Sequence, residues 1–106
     1  EEVTAKMAKQ GKLFALKVRG NSMTPEFKEG DIVIVKEQPD VESGEIAVVL
    51  INGDEATLKK VKKSENGIFL YAFNPDVYEP HFYSNAEIEA LPVRIVGKVI
   101  ENRREW

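Results

Sequence analysis

The segment IAVVLINGDEATLKKV, residues 46–61, constrains the fold more than any other part of the chain. Two runs rich in apolar and β-branched residues flank an Asn-Gly pair, and these two residue types readily adopt the positive φ that a tight turn requires. Such a pattern is typical of a β-hairpin. We therefore predict a hairpin here and expect the rest of the fold to be built around its strands.

The other apolar residues also fall into short runs. Strands are predicted at 13–19, 31–36, 68–73 and 92–100. Residues 32–35 within the run 31–36 are all β-branched, so we expect this run to be buried on both faces. Gly97 interrupts the last run and predicts a bulge or bend. Ser84 and Glu87 have the spacing of a capping box, which predicts one short helical turn. The predicted fold class is mainly β, with mostly antiparallel sheets.

Composition narrows the class of protein. The 106 residues suit one domain, and 42% apolar with 31% charged residues is typical of a folded soluble chain. The net charge of -3 comes from scattered charges, so this chain alone lacks the basic stripe that nucleic-acid binding requires. No apolar run approaches the roughly 20 residues of a membrane-spanning helix, and the charged N-terminus is unlike a secretory signal. With no cysteines, we expect a cytoplasmic protein without disulfides, and nothing predicts a metal or a cofactor.

Ser22 lies in GNSMTP, residues 20–25, where the alternating run 13–19 stops. A serine at this position can shape a turn, or it can act as a nucleophile, which requires a base beside it. His81 is the only histidine of the chain, and it follows a proline in a Pro-rich stretch that we interpret as a loop. Nothing around His81 resembles a catalytic motif, so a structural role is favoured for it.

A lysine is the other candidate base. In ATLKKV, Lys59 shares one strand face with Thr57 and Val61, whereas Lys60 lies on the opposite face. One of the two lysines is therefore expected to point inward. The pKa of a lysine is about 10.4 in water and must fall by roughly 3, on the order of 4 kcal/mol, for the amine to act as a base near neutral pH. Burial among apolar strands can lower it by that amount.

Together, GNSMTPEFKEGDIVIV and EIAVVL…ATLKKV resemble the LexA-like Ser-Lys autopeptidases, a family that includes SOS repressors, temperate-phage repressors and the UmuD mutagenesis proteins. The resemblance runs from about Phe14 to the end of the chain and also takes in the closing VGKVI strand. It implies a compact fold of curved sheets, Ser22 as the nucleophile and Lys59 as the general base. It further implies an oxyanion hole of backbone N–H groups, from Met23 and from Ser22 itself.

Members of this family cleave an Ala-Gly or Cys-Gly bond upstream of the serine, and neither dipeptide occurs in this chain. We therefore interpret residues 1–12 as a residual linker and 13–106 as the catalytic and dimerisation domain of a longer repressor. Its scissile bond and its DNA-binding domain would then lie outside this sequence. A parent protein that uses another bond, or that does not cleave itself, is an open alternative.

Partners follow only from the resemblance. It implies a homodimer formed through the C-terminal strand region, stimulation of cleavage by a RecA filament, operator DNA bound only through a missing N-terminal domain, and no membrane contact. In the tail, we expect Arg103 and Arg104 to be solvated and Trp106 to pack on the body. Two other functions stay open: a non-cleaving dimerisation or regulatory module that is switched by a protein partner, and a UmuD-like polymerase subunit.

Overall fold

The computed structural model describes residues 12–20, 23–53, 56–73 and 79–104. Within these ranges, the elements are β1 (Leu13–Lys17), β2 (Ile32–Glu37), β3 (Ile46–Ile51), β4 (Thr57–Ser64), β5 (Gly67–Tyr71), β6 (His81–Ser84), α1 (Asn85–Ala90) and β7 (Val93–Arg103). The seven strands form one sheet in the order β1-β2-β7-β3-β4-β5-β6, and every neighbouring pair is antiparallel. The predicted mainly β, antiparallel fold class is confirmed.

The predicted hairpin is formed by β3 and β4. The two strands pair from Ile46 opposite Lys60 to Val49 opposite Thr57. In the connection, Asn52 and Gly53 both have positive φ, at 54° and 72°, as expected for an Asn-Gly turn. This part of the sequence-based prediction is confirmed, although the next two residues of the turn, 54–55, lie outside the described ranges.

β7 is the third strand of the sheet and lies between β2 and β3. It pairs with β2 and with β3, and the register is irregular on both sides. Consecutive residues of β3, Val48 and Val49, pair with Gly97 and Ile95 of β7, so one residue of β7 is left over between these two pairs. The predicted bulge at Gly97 is therefore confirmed. A Cβ atom at Gly97 would lie 2.5 Å from the carbonyl oxygen of Lys36 on β2. Only glycine therefore permits this approach of the two strands.

Apolar side chains form two cores. The first contains the buried residues Val41, Ala47, Val49, Val61, Leu70, Tyr83 and Val93. The second contains Met23, Phe27, Val33, Val35 and Val48. In β2, the three successive residues 33–35 are buried, as the β-branched run predicts. The second core therefore anchors the segment 23–27, which immediately follows Ser22 in the chain.

The C-terminal part contains one confirmed prediction and one error. Ser84 caps α1 in a capping box, because its Oγ accepts from the N–H of Glu87 and its own N–H donates to the Glu87 carboxylate. The sequence predicts a loop at His81, but His81 begins β6 and pairs with Leu70 of β5. The strand is four residues long and directly follows a proline, so its pattern is too short to be recognised without its partner.

Of the predicted linker, only Lys12 lies within the described residues. Its carbonyl accepts a hydrogen bond from the N–H of Glu37, next to the β1–β2 pairing. Among the described residues, no helix has the length and apolar character that crossing a membrane requires.

Candidate active site

Ser22, the predicted nucleophile, and Asn21 lie outside the described residues, whereas Gly20 and Met23 on either side of this pair are described. Before it, Gly20 has a φ of 77° and donates its N–H to the carboxylate of Glu29 at 2.9 Å. After it, Met23 is 2% exposed, and its carbonyl accepts from the N–H of Phe27 at 2.8 Å. The side chain of Met23 thus serves packing, while its backbone belongs to a hydrogen-bonded turn.

Lys59, the predicted base, is buried. It lies on β4 opposite Ala47 and is 3% exposed. Its Nζ donates to Thr57 Oγ1 at 3.1 Å and to the Leu58 carbonyl at 3.2 Å. Burial lowers the pKa of Lys59 from its ordinary value, because an ammonium group loses hydration inside the protein. The expectation that one lysine of this pair points inward is confirmed, and that lysine is Lys59.

Lys60 shows the contrast that strand alternation predicts. It is half-buried, and its Nζ lies 5.9 Å from the centre of the Phe73 ring. The two neighbouring lysines therefore occupy different environments, and the buried one has the environment that a base requires.

A groove of about 830 Å³ brings the two predicted site regions together. Its walls are formed by Leu16, Lys17, Val18, Arg19, Met23, Val33, Val48, Ala56, Thr57 and Leu58. Thr57 and Leu58 accept hydrogen bonds from Lys59, and Met23 is bonded covalently to Ser22. The groove is mostly apolar, with two exposed cationic side chains, so it suits an extended peptide segment.

Asp31 forms a contact that the sequence did not predict. The carboxylate is 2% exposed and accepts from Arg104 through Nε at 3.0 Å and Nη2 at 2.9 Å. The expectation that Arg104 is solvated is therefore wrong, because this guanidinium forms a two-pronged ion pair. The Arg104 guanidinium holds the pKa of Asp31 well below its usual range. Arg103, also expected to be solvated, pairs through its Nε with Glu101, whereas Trp106 lies outside the described residues.

No sequence signal could have shown the pairing of Asp31 with Arg104. The two residues are separated by 73 positions, and an Asp or an Arg at the end of a predicted strand is commonly solvated. The Gly-Asp step before β2 predicts only a turn. The contact of the Asp31 carboxylate with Arg104 depends on the pairing of β7 with β2, which is not a local feature of the sequence.

His81 lies apart from this groove. It is exposed on β6, and its ring packs against Tyr83 with 4.2 Å between ring centres. It is not among the described residues that line the groove. This placement agrees with a structural role, as the sequence favoured.

Comparison with known proteins identifies the family. The model of the family described as Peptidase S24-like matches residues 1–100. The chain is 34% identical over 96 residues to the LexA repressor of Ruegeria sp. (strain TM1040), covering 90% of this chain and 39% of that protein. It is 41% identical over 91 residues to the LexA repressor of Geobacter sp. (strain M21), covering 85% of this chain and 43% of the relative. It is 40% identical over 84 residues to the LexA repressor of Lacticaseibacillus casei (strain BL23), covering 78% of this chain and 40% of the relative.

The chain thus spans about two fifths of the length of these relatives. The family match, in contrast, extends over nearly all of this sequence, and the similarity to the relatives covers most of it. The chain therefore belongs to the Peptidase S24-like family, a family of serine peptidases, and is a LexA-like repressor peptidase domain.

Proposed function

We propose that this domain carries out the self-cleavage of a longer LexA-like transcriptional repressor, with Ser22 as nucleophile and Lys59 as general base. One observation carries the proposal: a buried lysine donates hydrogen bonds to Thr57 and Leu58, which line the same groove as Met23, the residue after Ser22. A buried amine of lowered pKa and an adjacent hydroxyl are the two parts of a Ser-Lys dyad.

In the proposed reaction, the neutral Lys59 amine takes the proton of the Ser22 hydroxyl as Oγ attacks the carbonyl carbon of the scissile bond. Backbone N–H groups of Met23 and Ser22 stabilise the oxyanion that forms. The Lys59 ammonium then returns the proton to the leaving amine, and the peptide bond breaks to leave an ester on Ser22. Water hydrolyses this ester and regenerates the hydroxyl, with Lys59 again as the base.

The proposed substrate is a segment of the same polypeptide, upstream of Ser22. Tethering supplies a high effective concentration, so the groove needs little intrinsic affinity for the segment. Cleavage would separate a dimerisation domain from a DNA-binding domain. Two linked DNA-binding sites would then become two independent, weaker ones, which is how cleavage would inactivate the repressor during a stress response.

Dimerisation through the C-terminal strand is supported by the edge of β7. The pairing of β7 with β3 ends at Lys98, whereas its pairing with β2 continues to Arg103. Among the described residues, no strand pairs with the other edge of β7 after Lys98. Ile100, half-buried, lies in this stretch and belongs to neither core. An unpaired strand edge of this kind can pair with a second copy of itself.

The test of the peptidase proposal is the self-cleavage of the full-length parent protein, followed on gels with mass-spectrometric mapping of the new ends. We expect the parent to cut itself upstream of Ser22, and both Ser22→Ala and Lys59→Ala to remain intact. Lys60→Ala is the matched control, because Lys60 is the neighbouring lysine outside the buried position, and it should be cleaved normally. A parent that stays intact under all conditions would contradict the proposal and favour the non-cleaving regulatory module. Adding a RecA filament to the same assay tests whether it stimulates cleavage.

The dimer is tested separately by sedimentation equilibrium of this domain. Ile100→Asp places a charge on the proposed edge and is expected to shift the domain towards monomer. Phe69→Asp is the control, since Phe69 is an exposed apolar residue on β5. A wild-type domain that is monomeric at high micromolar concentration would contradict dimerisation through this strand.

A further inference from the structure

The segment that follows Ser22 is held from the opposite end of the chain. Asp31 accepts from Arg104 Nε and Nη2, from Asn102 Nδ2 at 3.0 Å, and from the backbone N–H of Lys28 at 2.9 Å. We call Asp31, Asn102 and Arg104 the C-terminal clamp. One buried carboxylate thus connects the end of β7 to the loop of residues 23–31.

The clamp also contacts the loop backbone directly. Arg104 Nη2 and Asn102 Nδ2 both donate to the Glu26 carbonyl at 3.4 Å. The next residue, Phe27, donates its N–H to the Met23 carbonyl. A short series of hydrogen bonds therefore runs from the side chain of Arg104 through the loop to Met23, which is bonded to Ser22.

At its base, the loop is closed by backbone hydrogen bonds. Val18 donates to the Asp31 carbonyl at 2.8 Å, and Gly30 donates to the Val18 carbonyl at 2.9 Å. Since these bonds already close the loop, the ion pair is not needed for closure alone. A buried ion pair is also a weak source of net stability, because dehydration of the charges offsets much of their attraction. What a two-pronged Arg-carboxylate contact adds is a defined geometry.

We propose that Asp31 and Arg104 are positioning residues for the cleavage reaction, holding the backbone that follows Ser22 in the arrangement that attack requires. This inference rests on the proposed self-cleavage. The two side chains act through the loop, since their hydrogen bonds include the Lys28 N–H and the Glu26 carbonyl. The hydrogen bonds of Lys59 to Thr57 and Leu58 lie within β4. Loss of the clamp should therefore slow cleavage without changing the ionisation of the base.

The experiment compares Arg104→Gln with wild type in the full-length parent, at a temperature where circular dichroism shows both to be folded. We expect the self-cleavage rate to fall by roughly 10- to 100-fold, as expected for a displaced reacting group, and the midpoint of the pH–rate profile to stay unchanged. Arg104→Lys keeps the charge but not the two-pronged contact, so its self-cleavage rate should lie between those of wild type and Arg104→Gln. Arg94→Gln is the matched control, an exposed arginine at the other end of β7, and should cleave like wild type.

A second readout does not depend on cleavage. Amide hydrogen exchange of Phe27 and Lys28 should accelerate in Arg104→Gln, while exchange in β3 and β4 stays unchanged. A variant that cleaves like wild type, a shifted pH midpoint, or faster exchange across the whole sheet would overturn the positioning role. If Arg104→Gln does not fold, Asn102→Ala removes only the amide contacts and should show the same changes at smaller size.

The two readouts distinguish failure of this inference from failure of the proposed function. A wild-type parent that never cleaves contradicts the proposed function and removes the catalytic role of the clamp with it. Amide hydrogen exchange in Arg104→Gln then tests whether the C-terminal clamp holds the loop of residues 23–31. Faster exchange confined to Phe27 and Lys28 supports this claim, and unchanged exchange overturns it.

Discussion

Replacing Lys59 by methionine measures how much the burial of this lysine costs in free energy of unfolding. Methionine is unbranched and flexible, so it can occupy the position on β4 without the charge. Lys59 is 3% exposed, and burial lowers its pKa from the ordinary value of 10.5. Between the lowered pKa and 10.5, unfolding takes up a proton, so the free energy of unfolding of the wild type rises with pH. Below the lowered pKa, the lysine is protonated in both states and the penalty is fully present.

The magnitude follows from these two statements. In the window between the lowered pKa and 10.5, the wild type gains up to about 1.4 kcal/mol per pH unit relative to Lys59→Met, which has no such group. The hydrogen bonds to Thr57 and Leu58 are lost in the variant, which offsets its advantage by about 0.5–1.5 kcal/mol each. The difference in stability between the two proteins should therefore favour the variant most on the acid side of the window and shrink as pH rises.

Urea denaturation followed by circular dichroism, at a series of pH values from about 6 to 10.5, measures this difference. Subtracting the free energy of unfolding of one protein from that of the other removes the contribution of the ionisable groups that both proteins contain. Lys62→Met is the control, because it removes a lysine charge from an exposed position on the same strand. A Lys59→Met difference that varies with pH no more than the Lys62→Met difference would refute the claim that burial penalises the ammonium form.

Three further substitutions test the framework around the site. Gly97→Ala should lower the free energy of unfolding by about 1–3 kcal/mol in urea denaturation, because its Cβ would lie 2.5 Å from a backbone oxygen of β2. Asp31→Asn should cost about 1–3 kcal/mol near pH 7. The ion pair with Arg104 lowers the pKa of Asp31 below 3.8, so this contribution is present above 3.8 and is lost as pH falls below it, and the unfolding curves of variant and wild type should converge in acid. Ser84→Ala removes the cap of α1 and should lower the thermal midpoint, at a cost of about 0.5–2 kcal/mol in calorimetry.

Local patterns predicted the parts of the fold that local chemistry determines. The Asn-Gly turn and the two runs beside it specify the β3–β4 hairpin, and strand alternation then places Lys59 and Lys60 on opposite faces. Alternation alone left open which of the two lysines points inward, and the resemblance to the LexA-like family selected Lys59. The structure shows that Lys59 shares its face with the fully buried Val61, while the role of Lys59 in catalysis stays a prediction.

Features that depend on distant parts of the chain could not be predicted in this way. β6 is a four-residue strand that is recognisable only through its pairing with β5. The ion pair between Asp31 and Arg104 joins residues 73 positions apart, and neither residue carries a local sign of its partner. Ser22 lies outside the described residues, so its role as nucleophile stays a prediction for cleavage assays to test.

The most direct test of the account is the pH dependence of self-cleavage in the full-length parent, measured from about pH 6 to 10.5 beside Lys59→Ala. Because burial lowers the pKa of Lys59, the account predicts a rate that rises with pH and levels off before 10.5, and no cleavage in the variant at any pH. Cleavage at a rate that does not change with pH, or that persists in Lys59→Ala, would contradict a buried lysine as the base.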